Sequence, residues 1–198
     1  MDISNQRCSW VRGHKNEIEY HDKEWGVPTT DDAILFEYLL LDSFQAGLSW
    51  QIILNKREGF RNAFDDFDAY KISQYNALKI EELINNPTII RNRLKIVSSI
   101  TNAQLFLKLQ IKHGSFANYI WQFTGHKTLT LRRVKGTEVP ATSMESDAMS
   151  AALRKEGFKF VGSTICYAFM QASGMVNDHL ISCCCYATVK KMAIKKWD

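Results

Sequence analysis

Leu41-Asp42-Ser43-Phe44-Gln45-Ala46-Gly47-Leu48-Ser49-Trp50 is the stretch on which the fold of this chain turns. Upstream of it, Ala33, Leu35, Phe36, Leu39, Leu40 and Leu41 recur at helical spacing behind Thr30-Asp31, a pair suited to capping a helix. The apolar face so defined belongs in a core. Asp42 closes that run, Gly47 interrupts the chain, and Ser49 can cap a second helix from about Trp50. The pattern is helix, tight corner, helix, with a carboxylate, an amide and an indole converging on the corner. A buried carboxylate costs several kcal/mol unless it is paired or hydrogen-bonded, so Asp42 needs a reason to be there. On local features it reads equally well as a cap for the helix that follows.

With 198 residues, 45% of them hydrophobic, the chain can build one large domain or two small lobes around a shared core. Only 3 prolines and 10 glycines argue against a turn-rich all-β fold. No apolar run is long enough to span a membrane and no charged-then-apolar leader follows Met1, so no membrane partner and a cytoplasmic location are expected. The net charge of +4 permits a nucleic-acid partner without demanding one. Five cysteines in such a chain do not read as a disulfide framework.

Working outward, Ser9 to Pro28 has weak periodicity and is expected to be mostly irregular. It carries Trp10, His14, Tyr20, His21 and Trp25, with Cys8 just before it, as a terminal strap or as a pocket wall with metal ligands. After the second helix, Asp68 offers a cap for a short helix over Ala69 to Tyr75. Asn76 to Ile84 reads as a helix, Asn85-Asn86-Pro87-Thr88 breaks it, and Ile89 is expected to begin the next helix at once, running to about Lys112. Backbone N–H groups at such a start attract anions, and Arg91, Arg93 and Lys95 add charge. Taken alone, the segment reads as an ordinary helix corner with a solvated basic face.

Ser115 caps a short aromatic helix, and residues 124 to 141 read as a basic loop with a little extended structure. Ser143 begins a helix that Gly157 ends. Gly162 to Ala172, apolar on nearly every side, is expected to be the central helix. Tyr186 to Asp198 is lysine-rich and expected to be loosely held. No segment alternates as a strand does, so the fold class is all-α.

His179 and Cys183 lie four apart, a usable nitrogen and thiolate pair for zinc. Cys8 and His21 can supply the other pair and join the two ends of the chain. Cys184, Cys185 or His14 can substitute, and buried thiols with a core histidine account for the same spacing.

Taken together, the blocks resemble the 3-methyladenine DNA glycosylase I family. They are Cys8-Ser9-Trp10, Tyr20-His21-Asp22-Lys23-Glu24-Trp25-Gly26-Val27-Pro28, Phe44-Gln45-Ala46-Gly47-Leu48-Ser49-Trp50, Lys56-Arg57-Glu58 and Ile89-Ile90-Arg91-Asn92-Arg93. Gly157 to Gly162, Thr164-Ile165-Cys166-Tyr167, Phe169-Met170-Gln171 and Val176-Asn177-Asp178-His179 complete the set in the family's order. The resemblance implies a helix-hairpin-helix DNA glycosylase fold, a single domain over residues 1–198 in two helical lobes. It implies one structural Zn2+ on Cys8, His21, His179 and Cys183, joining the N- and C-terminal segments.

It also implies a hairpin near residues 83–93 that binds double-stranded alkylated DNA through Asn86, Thr88, Arg91 and Arg93, with the protein acting as a monomer. A flipped base would sit against Tyr20, Trp50, Trp10 and Gln45, with Asp42 as the catalytic carboxylate and Leu48 as the wedge in the stack. The implied activity is hydrolysis of the N-glycosidic bond of N3-methyladenine without a lyase step. The alternative is a protein that binds alkylated DNA without excising. The family commonly has Glu at the position of Asp42, often Tyr at that of Glu17, and Ser at that of Ala168.

Overall fold

The computed structural model describes residues 6–195. The expected domain limits at residues 1 and 198, and the last residues of the lysine-rich tail, lie outside that range. Ten α-helices carry the fold among the described residues. The deepest is α2 (Asp32–Gln45), where ten consecutive residues from Leu35 to Phe44 are buried. Asp31 caps it by accepting from the Ala33 and Ile34 amides. The next residue, Asp32, accepts from the Phe116 and Ala117 amides, pinning the start of α7 (Phe116–Trp121) to the start of α2.

The helix therefore runs past Asp42, which lies in its last turn, and the corner begins after Gln45. Ala46 leaves the helix, Gly47 takes φ +83°, a conformation that favours glycine, and α3 (Trp50–Ala63) begins after Ser49. The Ser49 side chain makes no capping bond, and Asp42 does not cap α3 either.

Around α2 pack α3, α6 (Arg93–His113) and α9 (Ser163–Ala172), with α8 (Met144–Glu156) against α9. Helix α9 is not the central one. Cys166, Tyr167, Phe169 and Met170 are buried, but Thr164 is exposed, and Ala168 and Gln171 border a cavity.

Three further expectations are corrected. The strap holds a real helix, α1 (Lys15–Lys23). Its period is hard to read because the residues it turns inward are Glu17, Tyr20 and His21 rather than aliphatic ones. The tail forms α10 (Tyr186–Met192) with Val189 buried, and Thr128 and Ile194 exchange two hydrogen bonds. Two short parallel strands, β1 (Leu129–Thr130) and β2 (Val176–Asn177), pair in the mainly helical fold. At two residues each they are too short to alternate visibly.

After α4 (Ala69–Ser73), α5 (Ala77–Asn85) follows the Asn76 cap. The chain then stays irregular from 86 to 92, and α6 starts at Arg93, later than its apolar pattern suggests. Two side chains hold this turn open. Asn86 Oδ1 accepts from the Thr88 amide and hydroxyl, and Asn92 Oδ1 accepts from the Lys95 amide as the cap of α6.

Helix α3 braces the same turn. Lys56 Nζ donates to Pro87 O at 2.8 Å, and a Cβ on Gly59 would stand 2.5 Å from Thr88 O. Gly59→Ala should therefore push α3 and the turn apart and cost about 1–3 kcal/mol, as overpacking does. A melting temperature lowered by roughly 3–9 °C is expected, and a melting curve matching the wild type would contradict this packing.

Candidate functional site

The strap, the end of α2, the start of α3, α9 and residues 136–139 and 178–180 enclose a cavity of about 400 Å³. Its lining includes Trp10, Tyr20, Trp25, Asp42, Gln45 and Trp50. That volume suits a small organic ligand. The aromatic rings form a connected wall. Tyr20 and Trp50 lie 5.1 Å apart, centroid to centroid, Trp10 and Trp25 5.2 Å, and Trp10 and Tyr20 6.4 Å.

Three buried polar atoms of residues on this wall have no hydrogen-bond partner among the described residues: Trp10 Nε1, Trp50 Nε1 and Asp42 Oδ2. Two indole N–H donors and one carboxyl oxygen of lining residues are thus unused among electron-rich rings. With Asp42 only 2% exposed, burial pushes its carboxyl well above the ordinary carboxylate range. Burial, and then the nearby Asp42, raises the Tyr20 phenol. Burial, again followed by Asp42, pushes the Cys166 thiol up to about 12. Burial thus disfavours the charged form of Asp42, and a cationic guest beside it would offset that penalty.

Asp178 also lines the cavity, but in a different state of engagement. It accepts from Tyr167 Oη at 2.5 Å, Gln171 Nε2 at 3.0 Å and Arg133 Nε at 3.1 Å. Arg133 of the basic loop is thus turned inward.

Beside the cavity, and sharing Cys8 with it, lies a buried group of Cys8, His21, His179 and Cys183. Cys8 Sγ stands 3.6 Å from His179 Nδ1, and Cys183 Sγ lies 3.4 Å from the same atom and 3.5 Å from His21 Nε2. A tetrahedron with zinc–sulfur and zinc–nitrogen bonds of usual length has sulfur–nitrogen edges of about 3.6 Å. The four ligand atoms therefore fit such an ion.

The outer partners also fit. His179 Nε2 meets Trp25 O at 2.9 Å, and His21 Nδ1 meets Asp22 Oδ1 at 2.7 Å, which Arg7 grips in turn. His14 is exposed at the cap of α1, outside the group; Cys184 and Cys185 are half-buried and are not among the four, although both lie beside Cys183 and Cys185 also lies beside His21 and Asp22.

The cavity brings together five residues singled out in the sequence: Trp10, Tyr20, Asp42, Gln45 and Trp50. Leu48 stands outside it on the exposed corner, 37% accessible. Asn86, Thr88, Arg91 and Arg93 lie on or beside the 86–92 turn, away from the cavity lining. Arg93 is not free, because Nη2 pairs with Glu81 at 2.6 Å. Lys95 does not join the surface charge at all, being buried against α2. Glu17 accepts from the Arg12 amide and does not line the cavity. Trp25, Gln171, Asp178 and Val139 are lining residues that sequence patterns did not mark for the base pocket. For Trp25, the aromatic density of residues 10–25 was the available signal.

This helical body, with its aromatic cavity, stands structurally among the 3-methyladenine DNA glycosylases. A crystal structure of 3-methyladenine DNA glycosylase I matches with a TM-score of 0.89 at 45% identity, covering 91% of this chain and 100% of that one. A Staphylococcus aureus 3-methyladenine DNA glycosylase I, whose structure is described as the basis of its 3-methyladenine recognition, matches at 0.87 and 32% identity. It covers 91% of this chain and 96% of that one. The DNA-3-methyladenine glycosylase 1 of Escherichia coli (strain K12) is 45% identical over 181 residues, 91% of this chain and 97% of the relative. The methyladenine glycosylase family matches residues 10–186, and the chain belongs to that family.

The raised Asp42 carboxyl has a consequence for the free protein. Its neutral form is favoured by folding, so its share of stability is present below the unfolded carboxyl value of about 3.9 and is lost as pH rises through the folded value. Asp42→Asn removes that loss. The variant should melt higher than wild type at neutral pH, and the gap should close as pH falls toward about 4. A pH-independent difference would contradict the buried, unpaired carboxyl.

Proposed function

We propose that this chain is a monofunctional DNA repair glycosylase that flips N3-methyladenine out of alkylated double-stranded DNA and hydrolyses its N-glycosidic bond. The observation that carries the reading is the partnerless Asp42 carboxyl inside an aromatic cavity. Methylation at N3 makes adenine cationic. Such a ring gains about 0.5–2 kcal/mol from each well-placed aromatic face, and its charge stabilises ionised Asp42. Unmodified adenine brings no positive charge, so it would leave the buried acid either neutral or uncompensated. Selectivity for the lesion then follows from burial.

The same charge makes the base a good leaving group. As the glycosidic bond breaks, its electron pair neutralises the departing purine, so no strong general acid is needed. Water attacks the sugar carbon, and its proton leaves to solvent. Among the described residues no lysine lines the cavity, which supports hydrolysis without a Schiff-base step. Asp42 acts here as the catalytic carboxylate, Tyr20, Trp50, Trp10 and Gln45 hold the base, and Leu48 fills the gap left in the stack.

In this reading the α5–turn–α6 segment is the helix-hairpin-helix unit, gripping phosphates through Asn86, Thr88, Arg91 and Arg93. Arg91→Ala should weaken all duplexes alike and lower the salt slope of binding by about one. A loss confined to damaged DNA would instead place Arg91 near the pocket.

The Cys8, His21, His179 and Cys183 group would hold one zinc ion. Four protein ligands leave no position for water, so the ion would serve structure by fixing the strap against residues 178–183. Elemental analysis of protein purified without added metal should give about one equivalent per chain. Cys183→Ala should lose both the metal and a large part of the stability. Metal-free protein with a wild-type melting curve in Cys183→Ala would remove the site.

Incubation with methylated DNA should release free 3-methyladenine. Binding without release at stoichiometric protein would favour the non-excising alternative. Asp42→Asn should slow single-turnover release by roughly ten- to a hundredfold, the value of a charge-assisted hydrogen bond expressed in the transition state. Its binding to undamaged duplex should be unchanged, and wild-type release would take Asp42 off the reaction path.

A further inference from the structure

Lys95 is a cation at the unfavourable end of its own helix. It lies in the first turn of α6, where the helix dipole is positive, and it is only 5% exposed. Its ammonium reaches across to another helix, donating to Phe44 O at 2.8 Å and Ala46 O at 2.7 Å. Carbonyls at a helix end lack partners within the helix and carry the negative end of its dipole. The Phe160 ring lies 5.8 Å from Nζ on a further side. One side chain thus joins the positive end of α6 to the negative end of α2. Burial lowers the Lys95 ammonium below its ordinary value, a cost that a lysine turned to solvent would not meet.

Both ends of this tie lead to the site. Helix α6 leaves the 86–92 turn, which carries Arg91. Ala46 directly precedes Gly47 and the exposed Leu48, and Asp42 lies one turn upstream. Beyond the local bonds from the Leu48 amide to Gln45 O and from the Ile52 amide to Ser49 O, the corner has little packing to fix its orientation, since Gly47, Leu48 and Ser49 are all exposed.

We propose that Lys95 is a positioning residue for base extrusion. It holds the corner from Gln45 to Ser49 in register with the 86–92 turn, so that a duplex gripped at the turn presents its damaged nucleotide to the corner and the cavity. The proposal rests on the glycosylase reading above. It assigns Lys95 no contact with DNA or base.

Lys95→Met keeps most of the apolar stem and removes both donors. Lys95→Gln keeps donors on a shorter stem and serves where the Met variant does not fold. Melting temperature is measured first. Binding of free 3-methyladenine, undamaged duplex and duplex containing an abasic nucleotide follows. Single-turnover release is then compared for a paired lesion and for the same lesion in a mismatch.

Affinities for the free base and for undamaged duplex should stay within about threefold of wild type, while release from the paired site slows by about tenfold or more. Most of that loss should be recovered in the mismatch, where extrusion costs less. A purely structural cap would slow both substrates alike. Equal slowing, or wild-type rates on both, would overturn the proposal. If the wild-type chain released no 3-methyladenine, the glycosylase reading would fail separately. Lys95 would then be judged by the preference for abasic over undamaged duplex: loss of that preference in Lys95→Met supports the proposal, and its retention overturns it.

Discussion

The approach of Cys8 and His21 to His179 and Cys183 is the constraint on which the site depends. The strap that carries Trp10, Tyr20 and Trp25 has few aliphatic side chains to hold it in place. It is held by what its polar residues meet: Arg7 on Asp22, His21 beside Cys183, and Trp25 O beside His179 Nε2. Because Cys8 and Leu180 belong both to this neighbourhood and to the cavity lining, fixing the chain ends also sets the distance across the cavity. A metal in the group would strengthen a closure that the hydrogen bonds around it already outline.

Within that frame, two carboxyl groups face one cavity under opposite conditions. Asp178 is surrounded by three donors, so its electrostatic demand is met by the protein. Asp42 has an oxygen with no partner among the described residues and an aromatic setting, and in the proposed reading the bound base supplies that partner. In that reading desolvation would act as a filter, since a guest of complementary charge offsets the cost of ionisation. A rigid helix is a sound place for such a group: α2 is buried along ten residues, so the carboxyl cannot easily swing out to water.

The arginine cluster on α3 gives the same region mechanical support. Arg57 makes two bonds to Glu24 and one to Glu37, and Arg61 adds another to Glu37. These bonds link α2, α3 and the end of the strap around charges that are mostly out of solvent. Removing one member would strand the others. The Lys95 tie and the packing of Gly59 on Thr88 continue this bracing toward the turn before α6.

The local content was legible from neighbouring residues alone. Asp31, Asn76, Ser143 and Gly157 mark helix ends because capping depends on neighbours within a few residues. The aliphatic period of α2 followed from the same short range, as did the candidate ligand types at 8, 21, 179 and 183. Where side chains with two uses would go was settled by packing. Lys95 reads as one more surface cation beside Arg91, yet it turns inward because carbonyls of a distant segment await it. Glu17 and Asp42 are both buried acids, but one meets a backbone amide and the other meets nothing. Helix α9, apolar enough for the centre, gives one side to the cavity. For Lys95 and α9 the partners lie tens to well over a hundred residues away, and pattern along the chain carries no record of who those partners are.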